Sequence, residues 1–304
     1  MPELPEVQTV VNGLNRKITG RKITGVWFDA PKIIKVPKPA DFEKQIKGLK
    51  IEKIARRGKN ILIYLTKSYK LKVKSYYLLL IHQKMTGHLL YGKWGVKKIP
   101  GNKYKVLSLI KGSLKEKVNG YIHLIFYFDN GWQVALSDMR KFAKVLFGEK
   151  EKVEKLPDLT KLGPEPLDKN FTLSKFEKII RQARGKIKQV LMNQNIIVGV
   201  GNIYADEILF EAKINPFKPA NELKSGEIKN IYFAIKKILK RAINLKGTSI
   251  SDFRDTSGIL GGYGKKLLVY RKENERCLRH CGGVIKRVKI GGRSAHYCPR
   301  CQKL

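Results

Sequence analysis

The chain has 304 residues, which is long enough for two domains with hydrophobic cores of their own. Its 63 lysine and arginine residues outnumber 25 acidic residues, and the net charge of +38 indicates a polyanionic partner such as nucleic acid. The apolar run 76–81 is far shorter than the roughly 18 residues of a membrane span, and the first residues lack the pattern of a secretory leader. We therefore expect a cytoplasmic protein.

The first half of the sequence predicts one amphipathic helix followed by short strands. Residues 5–19 carry apolar side chains at three- and four-residue spacing, and Pro5 suits the first helical position. From about residue 22 to 148, short β-rich runs alternate with turn signals, which indicates antiparallel hairpins in a sandwich or barrel. These runs are Gly25–Phe28, Ile61–Leu65, Tyr77–Ile81, Tyr121–Phe128 and Gln133–Leu136. The lysine-rich stretch 93–120 is predicted to be a long, mobile excursion between strands.

The second half changes to helical periodicity after a polar linker. Ser174 and Glu177 have the spacing of a capping box for a helix that runs to about residue 184. Two short helices, 186–193 and 203–212, are predicted around a glycine-bearing turn, with Asn202 at the N-cap of the second. A longer helix, 225–245, is predicted to stop at Gly247.

All four cysteines lie within the last 30 or so residues and have metal-ligand spacing. They are Cys277, Cys281, Cys298 and Cys301. Two close pairs separated by a hairpin-length segment are typical of a zinc ribbon. Four thiolates fill the coordination shell, so we expect one structural Zn²⁺ rather than a catalytic one. Zinc ribbons are common in nucleic-acid-binding proteins, so this motif alone does not identify an enzyme.

The first residues are Met1-Pro2-Glu3-Leu4-Pro5-Glu6, and a small residue at position 2 usually permits removal of the initiator methionine. That removal would leave Pro2 with a free secondary amine, which is a nucleophile able to form a cationic iminium. Glu3 is placed to move protons, and Glu6, in the first helical turn, is placed to orient the amine. The alternative for this peptide alone is an ordinary helix entry with two prolines and two acids.

These opening residues resemble the start of the formamidopyrimidine-DNA glycosylase family, and further matches follow in the same order along nearly the whole chain. The matches are Arg56–Lys59, His82–Gly87, Ser137–Phe142, Leu162–Leu167, Gln194–Glu207 and the cysteine finger. The resemblance supports catalytic roles for Pro2, Glu3 and Glu6. It implies that Lys59 donates a proton during β-elimination and that Arg293, after a Gly-Gly turn, serves δ-elimination.

The same resemblance implies a set of DNA contacts. Met85, Arg140 and Phe142 resemble the side chains that fill the gap left by a flipped-out base. Asn202 falls where helix amides form a phosphate site.

The chain also departs from the family pattern at several positions. Tyr121 stands where a phosphate-contacting histidine is common, and Lys141 replaces a second arginine, leaving a point charge in place of a bidentate fork. The first finger pair has three intervening residues where the family usually has two. Residues 256–264 resemble the lesion-capping loop but lack its usual Gly-Tyr-Phe, and the glycines of 247–264 predict a mobile lid. Two further histidines, His88 and His296, are interpreted as solvated or core residues.

We therefore predict an α+β protein with a catalytic β-sandwich domain and N-terminal helix at 1–148 and a linker at 149–163. A helix–two-turn–helix DNA-binding domain with the capping loop follows at 164–268, and a zinc finger at 269–304. The resemblance implies a monomeric base-excision-repair glycosylase and AP lyase. Its substrate would be double-stranded DNA with oxidised purines (8-oxoguanine, formamidopyrimidines) or abasic sites, and its reaction a Pro2 Schiff base followed by β,δ-elimination.

Two alternatives differ from this reading in specific residues. The endonuclease VIII-like branch prefers oxidised pyrimidines, and it typically has glycine at the position of Leu4, which here favours the purine branch. A catalytically silent DNA- or RNA-binding zinc protein would keep the charge and the finger, but it would have no need for Pro2 and Glu3.

Overall fold

The computed structural model describes residues 1–68, 74–101 and 103–304. Its contacts divide the chain into two compact units, one of Met1–Thr160 with Lys246–Gly262 and one of Lys161–Leu245 with Tyr263–Leu304. Residues 246–262, predicted as part of the helical domain, fold with the β-rich unit, because Phe253 is buried in its core. Within the described ranges, no helix is long and apolar enough to cross a membrane.

The first unit opens with helix α1 (Leu4–Ile18), close to the predicted bounds. Its apolar face is buried together with the alternating apolar residues of two sheets. A short helix, α2 (Pro39–Ile46), buries Phe42 and Ile46 in the same core. The N-terminal helix is therefore held rigidly by the β-rich core on which it packs.

Two sheets face each other across this core. One has the order β1-β9-β10-β6, built from β1 (Ile23–Phe28), β6 (His88–Gly92), β9 (Ile122–Phe128) and β10 (Gln133–Ser137). The other has the order β2-β11-β5-β4-β3, built from β2 (Ile34–Val36), β3 (Lys50–Arg57), β4 (Asn60–Ser68), β5 (Lys74–His82) and β11 (Lys144–Glu149). Neighbouring strands are antiparallel except for β2 and β11. The predicted β-sandwich is confirmed.

The stretch 93–120 forms regular structure instead of the predicted mobile excursion, with residue 102 outside the described residues. Strands β7 (Trp94–Ile99) and β8 (Lys103–Ser108) pair as a hairpin, and 3₁₀ turns follow at Ser113–Lys115 and Lys117–Asn119. The hairpin and the residues that follow it pack against the outer side of the first sheet, the hairpin through Trp94, Val96 and Val106 and the following residues through Ile110 and Leu114. Its lysines conceal this apolar alternation in the sequence.

The predicted linker is largely helical. Helices α3 (Lys150–Glu154) and α4 (Pro157–Thr160) occupy most of it. Val153, Leu156 and Leu159 pack on the outer face of the second sheet, which explains why a segment of polar composition folds against the domain.

The second unit contains the predicted helices and a C-terminal hairpin. Its elements are α5 (Leu173–Gln182), α6 (Ile187–Met192), α7 (Asn202–Ala212), α8 (Ser225–Asn244), β12 (Lys286–Ile290) and β13 (Arg293–Tyr297). Two caps differ from the prediction. Thr172, not Ser174, caps α5 by accepting from the Lys175 N–H, and Gly201 precedes α7, so Asn202 is its first residue.

Candidate active site and metal centre

The start of α1 surrounds the N-terminal amine with buried carboxylates. Glu3 is 3% exposed and Glu6 1% exposed. One Glu6 oxygen accepts from the Glu3 N–H at 2.8 Å and the other from the Thr248 N–H at 2.6 Å. Burial lowers the pKa of the Met1 amine, while Glu3 and Glu6 act in the opposite direction. A lowered pKa leaves more of an amine unprotonated and nucleophilic at neutral pH.

Lys59 is brought to the same place by the tight turn between β3 and β4. Gly58 adopts a φ of +58° in this turn, and Lys59 is only 6% exposed. Arg56 ties the turn to α1 because its side chain donates to the Gly58 carbonyl at 2.9 Å and to Gln8 at 3.0 Å. The charge of Lys59 also lowers the pKa of the N-terminal amine, so the two groups are electrostatic neighbours.

A histidine that we did not single out lies close to this group. His82 pairs with Asn60 in the β4–β5 register, and its Nδ1 accepts from the Lys84 N–H at 2.9 Å. Burial, together with Lys84 and Lys59, lowers the pKa of His82 to about 3, so the ring is neutral at physiological pH. Its sequence signal was its place in the His82–Gly87 motif.

Two loops of the first unit bring Met85, Arg140 and Phe142 together on the surface. Met85 is 43% and Phe142 52% exposed. The Arg140 guanidinium stacks 4.6 Å from the centre of the Phe142 ring and lies 3.4 Å from the Met85 sulfur. Apolar side chains that stay exposed around an arginine do not belong to a hydrophobic core, and they suit insertion into a base stack.

The buried carboxylate of Asp138 holds these loops. It accepts from the Ala143 N–H at 2.7 Å, from the Arg140 N–H at 3.3 Å and from the Thr86 hydroxyl. Lys141 is exposed at the tip of the turn, with a φ of +54°.

Tyr121 is half-buried beside these loops. It lines a cavity of about 270 Å³ together with Thr86, Lys117, Val118, Met139 and Asp252. The cavity thus adjoins the loop of Met85 and Arg140 and includes Asp252, whose charge reaches the N-terminal amine.

The turn between α6 and α7 is organised by Gln194. Its side-chain amide donates to the carbonyls of Met192 and Val200, each at 2.7 Å, and its oxygen accepts from the Gly199 N–H at 2.8 Å. Gly199 has a φ of +92°. Asn202 opens α7, and its buried Oδ1 has no hydrogen-bond donor among the described residues.

The cysteines form one cluster in the second unit. The sulfur atoms of Cys277, Cys281, Cys298 and Cys301 all lie within 4.8 Å of one another. The Cys277–Cys301 and Cys281–Cys298 sulfur separations are 3.7 Å and 3.5 Å. A tetrahedral site with Zn–S bonds of about 2.3 Å requires separations of about 3.8 Å, so the donor set fits zinc. The three residues between Cys277 and Cys281 are therefore compatible with one cluster of four sulfur atoms.

The finger hairpin is fixed to α6 and α7 by buried charges. The Asp206 carboxylate accepts from the Lys188 ammonium at 2.6 Å, and it accepts from the backbone N–H and ring Nδ1 of His296 at 2.9 and 3.0 Å. Lys188 also donates to the Ser294 carbonyl. His296 is therefore a core residue, as is His88, which bonds Asn119. Arg293 is exposed directly after a turn in which both glycines have positive φ.

The structure thus gathers Glu3, Glu6, Lys59 and the N-terminal residues at one place, and Met85, Arg140 and Phe142 at another, within the first unit. Asn202, Arg293 and the four cysteines belong to the second unit.

Comparison with protein families decides the affiliation. Residues 1–145 match the formamidopyrimidine-DNA glycosylase N-terminal domain, 162–254 match the formamidopyrimidine-DNA glycosylase H2TH domain, and 274–304 match the zinc finger found in FPG and IleRS. The chain belongs to the formamidopyrimidine-DNA glycosylase family. The α+β fold with three parts in this order is likewise confirmed.

Individual relatives extend this match over whole chains. A formamidopyrimidine-DNA glycosylase of Pelotomaculum thermopropionicum is 38% identical over 304 residues, covering 100% of both chains. Lactococcus lactis Fpg bound to DNA with an abasic site has a TM-score of 0.81 and 31% identity, covering 99% of this chain and 100% of that one. Two further structures have a TM-score of 0.81 and 31% identity, with 100% of both chains covered. They are Lactococcus lactis Fpg with DNA containing an oxidised pyrimidine and MutM with DNA containing carbocyclic 8-oxoguanine. A member of this family is a base-excision-repair enzyme, a DNA glycosylase with AP lyase activity.

Proposed function

We propose that the chain removes oxidised purines, 8-oxoguanine and formamidopyrimidines, from double-stranded DNA by attack of the Pro2 amine on C1′ of the damaged nucleotide. The observation that carries this proposal is the surroundings of the N-terminus, where the buried side chains of Glu3, Glu6 and Lys59 act electrostatically on the N-terminal amine. After removal of Met1, the secondary amine of Pro2 becomes the nucleophile in these surroundings.

Each neighbour has a role that its chemistry supports. Glu3 donates a proton to the sugar ring oxygen as the base departs, and Glu6, held by the Glu3 and Thr248 amides, orients the amine. The iminium formed between Pro2 and C1′ makes the neighbouring C2′ proton acidic. A base takes up that proton as the C3′–O bond breaks and the 3′ phosphate leaves, and a second elimination breaks the C5′–O bond and releases the 5′ phosphate. Lys59 supplies the proton for the first elimination and Arg293 serves the second.

The remaining site residues bind the duplex. Met85, Arg140 and Phe142 fill the space left by the extruded base, and Arg140 has donors for the acceptors of an unpaired cytosine. Asn202, Lys141 and Tyr121 contact the backbone, which positions the strand without reading its sequence. One Zn²⁺ on the four cysteines supplies structural stability to the hairpin that presents Arg293. We further propose that the enzyme works as a cytoplasmic monomer.

Borohydride trapping tests the nucleophile. The purified enzyme should form a covalent adduct with DNA containing an abasic site, and mass spectrometry should place it on Pro2. A retained Met1, or an adduct that moves to Lys59 and survives in the Pro2→Gly variant, would contradict the mechanism.

Lesion choice is tested separately by single-turnover excision of 8-oxoguanine, formamidopyrimidine and thymine glycol, each opposite its normal partner. Faster release of thymine glycol than of both purine lesions would move the chain to the oxidised-pyrimidine class and leave the Pro2 chemistry intact.

A further inference from the structure

Residues 113–119, which follow the β7–β8 hairpin, hold the segment 246–262 by an ion pair. The Arg254 Nε donates to the Glu116 carboxylate at 3.1 Å. The pair is asymmetric, because the Arg254 side chain is 11% exposed and the Glu116 side chain 47%. Within the same contact, Gly258 packs closely on Ser113, Leu114 and Asn119.

Arg254, the arginine of this ion pair, also restrains the backbone of residues 251–253. Its Nη1 donates to the carbonyl of Ser251 at 3.1 Å and to that of Phe253 at 3.0 Å. One guanidinium therefore fixes the chain on both sides of Asp252. Glu116 orients that guanidinium and neutralises its charge.

The restrained backbone borders both parts of the site in the first unit. Asp252 lines the 270 Å³ cavity with Thr86, Tyr121 and Met139. A few residues earlier, the Thr248 N–H donates to Glu6. Displacement of the backbone around Asp252 would change the shape of the cavity. It would change the surroundings of the N-terminal amine less, because Glu6 also accepts a hydrogen bond from the Glu3 N–H.

We propose that Glu116 is a positioning residue for base excision, acting through Arg254 on the Asp252 wall of the cavity, which receives the extruded base. This inference rests on the proposed function. A base must be held in the cavity while its bond to C1′ breaks, whereas an abasic site has no base to hold. Glu116 should therefore matter for excision and not for cleavage of a ready-made abasic site.

The test measures both steps in the intact enzyme. Glu116→Gln should lower single-turnover excision of the base by roughly fivefold, the loss expected of a half-exposed ion pair, and leave cleavage at an abasic site unchanged. Arg254→Lys keeps the charge but loses the two-carbonyl fork, so it should give the same split.

The matched control is Glu149→Gln, which removes another glutamate of the first unit, one that pairs with Lys152 at 3.0 Å. It should change neither step. Equal losses in both steps for Glu116→Gln, or no loss in either, would overturn the inference. Failure of the wild-type enzyme in both assays would instead remove the proposed function, so the two failures are distinguishable.

Discussion

Asp138 shows how much of the proposed DNA-contacting surface depends on one buried side chain. Its carboxylate accepts from two backbone amides and from the Thr86 hydroxyl, and it is fully buried. Asp138→Asn would replace one acceptor oxygen with a donor facing an N–H. We expect a loss of about 1–3 kcal/mol in the free energy of unfolding and a larger loss in base excision than in abasic-site cleavage. Denaturant titration and single-turnover assays measure the two effects.

The control for Asp138 is Asp129→Asn, because Asp129 is exposed and only 4.0 Å from Arg21. It should leave both quantities near the wild-type values. If Asp138→Asn matched this control, the loop would be held by other contacts.

His82 makes stability depend on pH in a predictable direction. Its pKa is about 3 in the folded protein against 6.5 for a free side chain. Between these values the unfolded chain binds a proton that the folded chain does not, so stability falls as pH drops below 6.5. At pH 5 the loss from this group is about 2 kcal/mol relative to neutral pH. His82→Asn should lose less stability than wild type over the same interval.

Tryptophan fluorescence follows that unfolding in the relevant unit, since Trp27, Trp94 and Trp132 are the chain's three tryptophans and all lie in the first unit. Identical pH dependence in wild type and His82→Asn would show that His82 is not the group responsible.

At the scale of elements, the sequence predicts secondary structure best where the apolar periodicity lies within a single long element. Helices α1 and α8 have long apolar stripes and were placed to within a residue or two. The β7–β8 hairpin was missed because lysines on its exposed face conceal the alternation on its buried face. The helical linker was missed because a few apolar residues among charges bury nothing until a sheet is present to receive them.

The candidate site divides in the same way. Motifs contiguous in sequence, such as the first six residues and the cysteine pairs, could be recognised directly. Contacts between distant segments, such as Glu6 with Thr248 or Glu116 with Arg254, could not, because no local pattern encodes which loop a carboxylate will meet.

The finger has four clustered cysteine sulfurs and a small core of its own. Its buried residues are few, and Cys298 is fully buried among them. Metal analysis should find one zinc equivalent, and Cys298→Ser should weaken DNA binding because the hairpin that presents Arg293 loses its order. Hydrogen exchange over 286–297 should rise in the variant. Undiminished DNA binding after chelation, with the metal shown to be gone, would reject this role.

For the molecule as a whole, the net charge of +38 fits a partner held mainly through its phosphates. Each lysine that neutralises a phosphate releases counterions, so the logarithm of the binding constant falls linearly with the logarithm of salt concentration. Binding should therefore weaken steeply as salt rises, for intact and damaged duplexes alike.

Adjacent residues of one exposed loop separate this charge contribution from base extrusion. Lys141→Gln should reduce the slope of the salt dependence by about one unit, because one phosphate contact is lost. Phe142→Ala should leave the slope unchanged and slow excision of a paired lesion, because Phe142 carries no charge and acts only when the stack opens. Both side chains are exposed, so neither change should cost much folding stability. Binding titrations over a salt series, combined with single-turnover excision, measure both effects. A lower salt slope for Phe142→Ala, or an unchanged one for Lys141→Gln, would show that the two roles are assigned to the wrong residues.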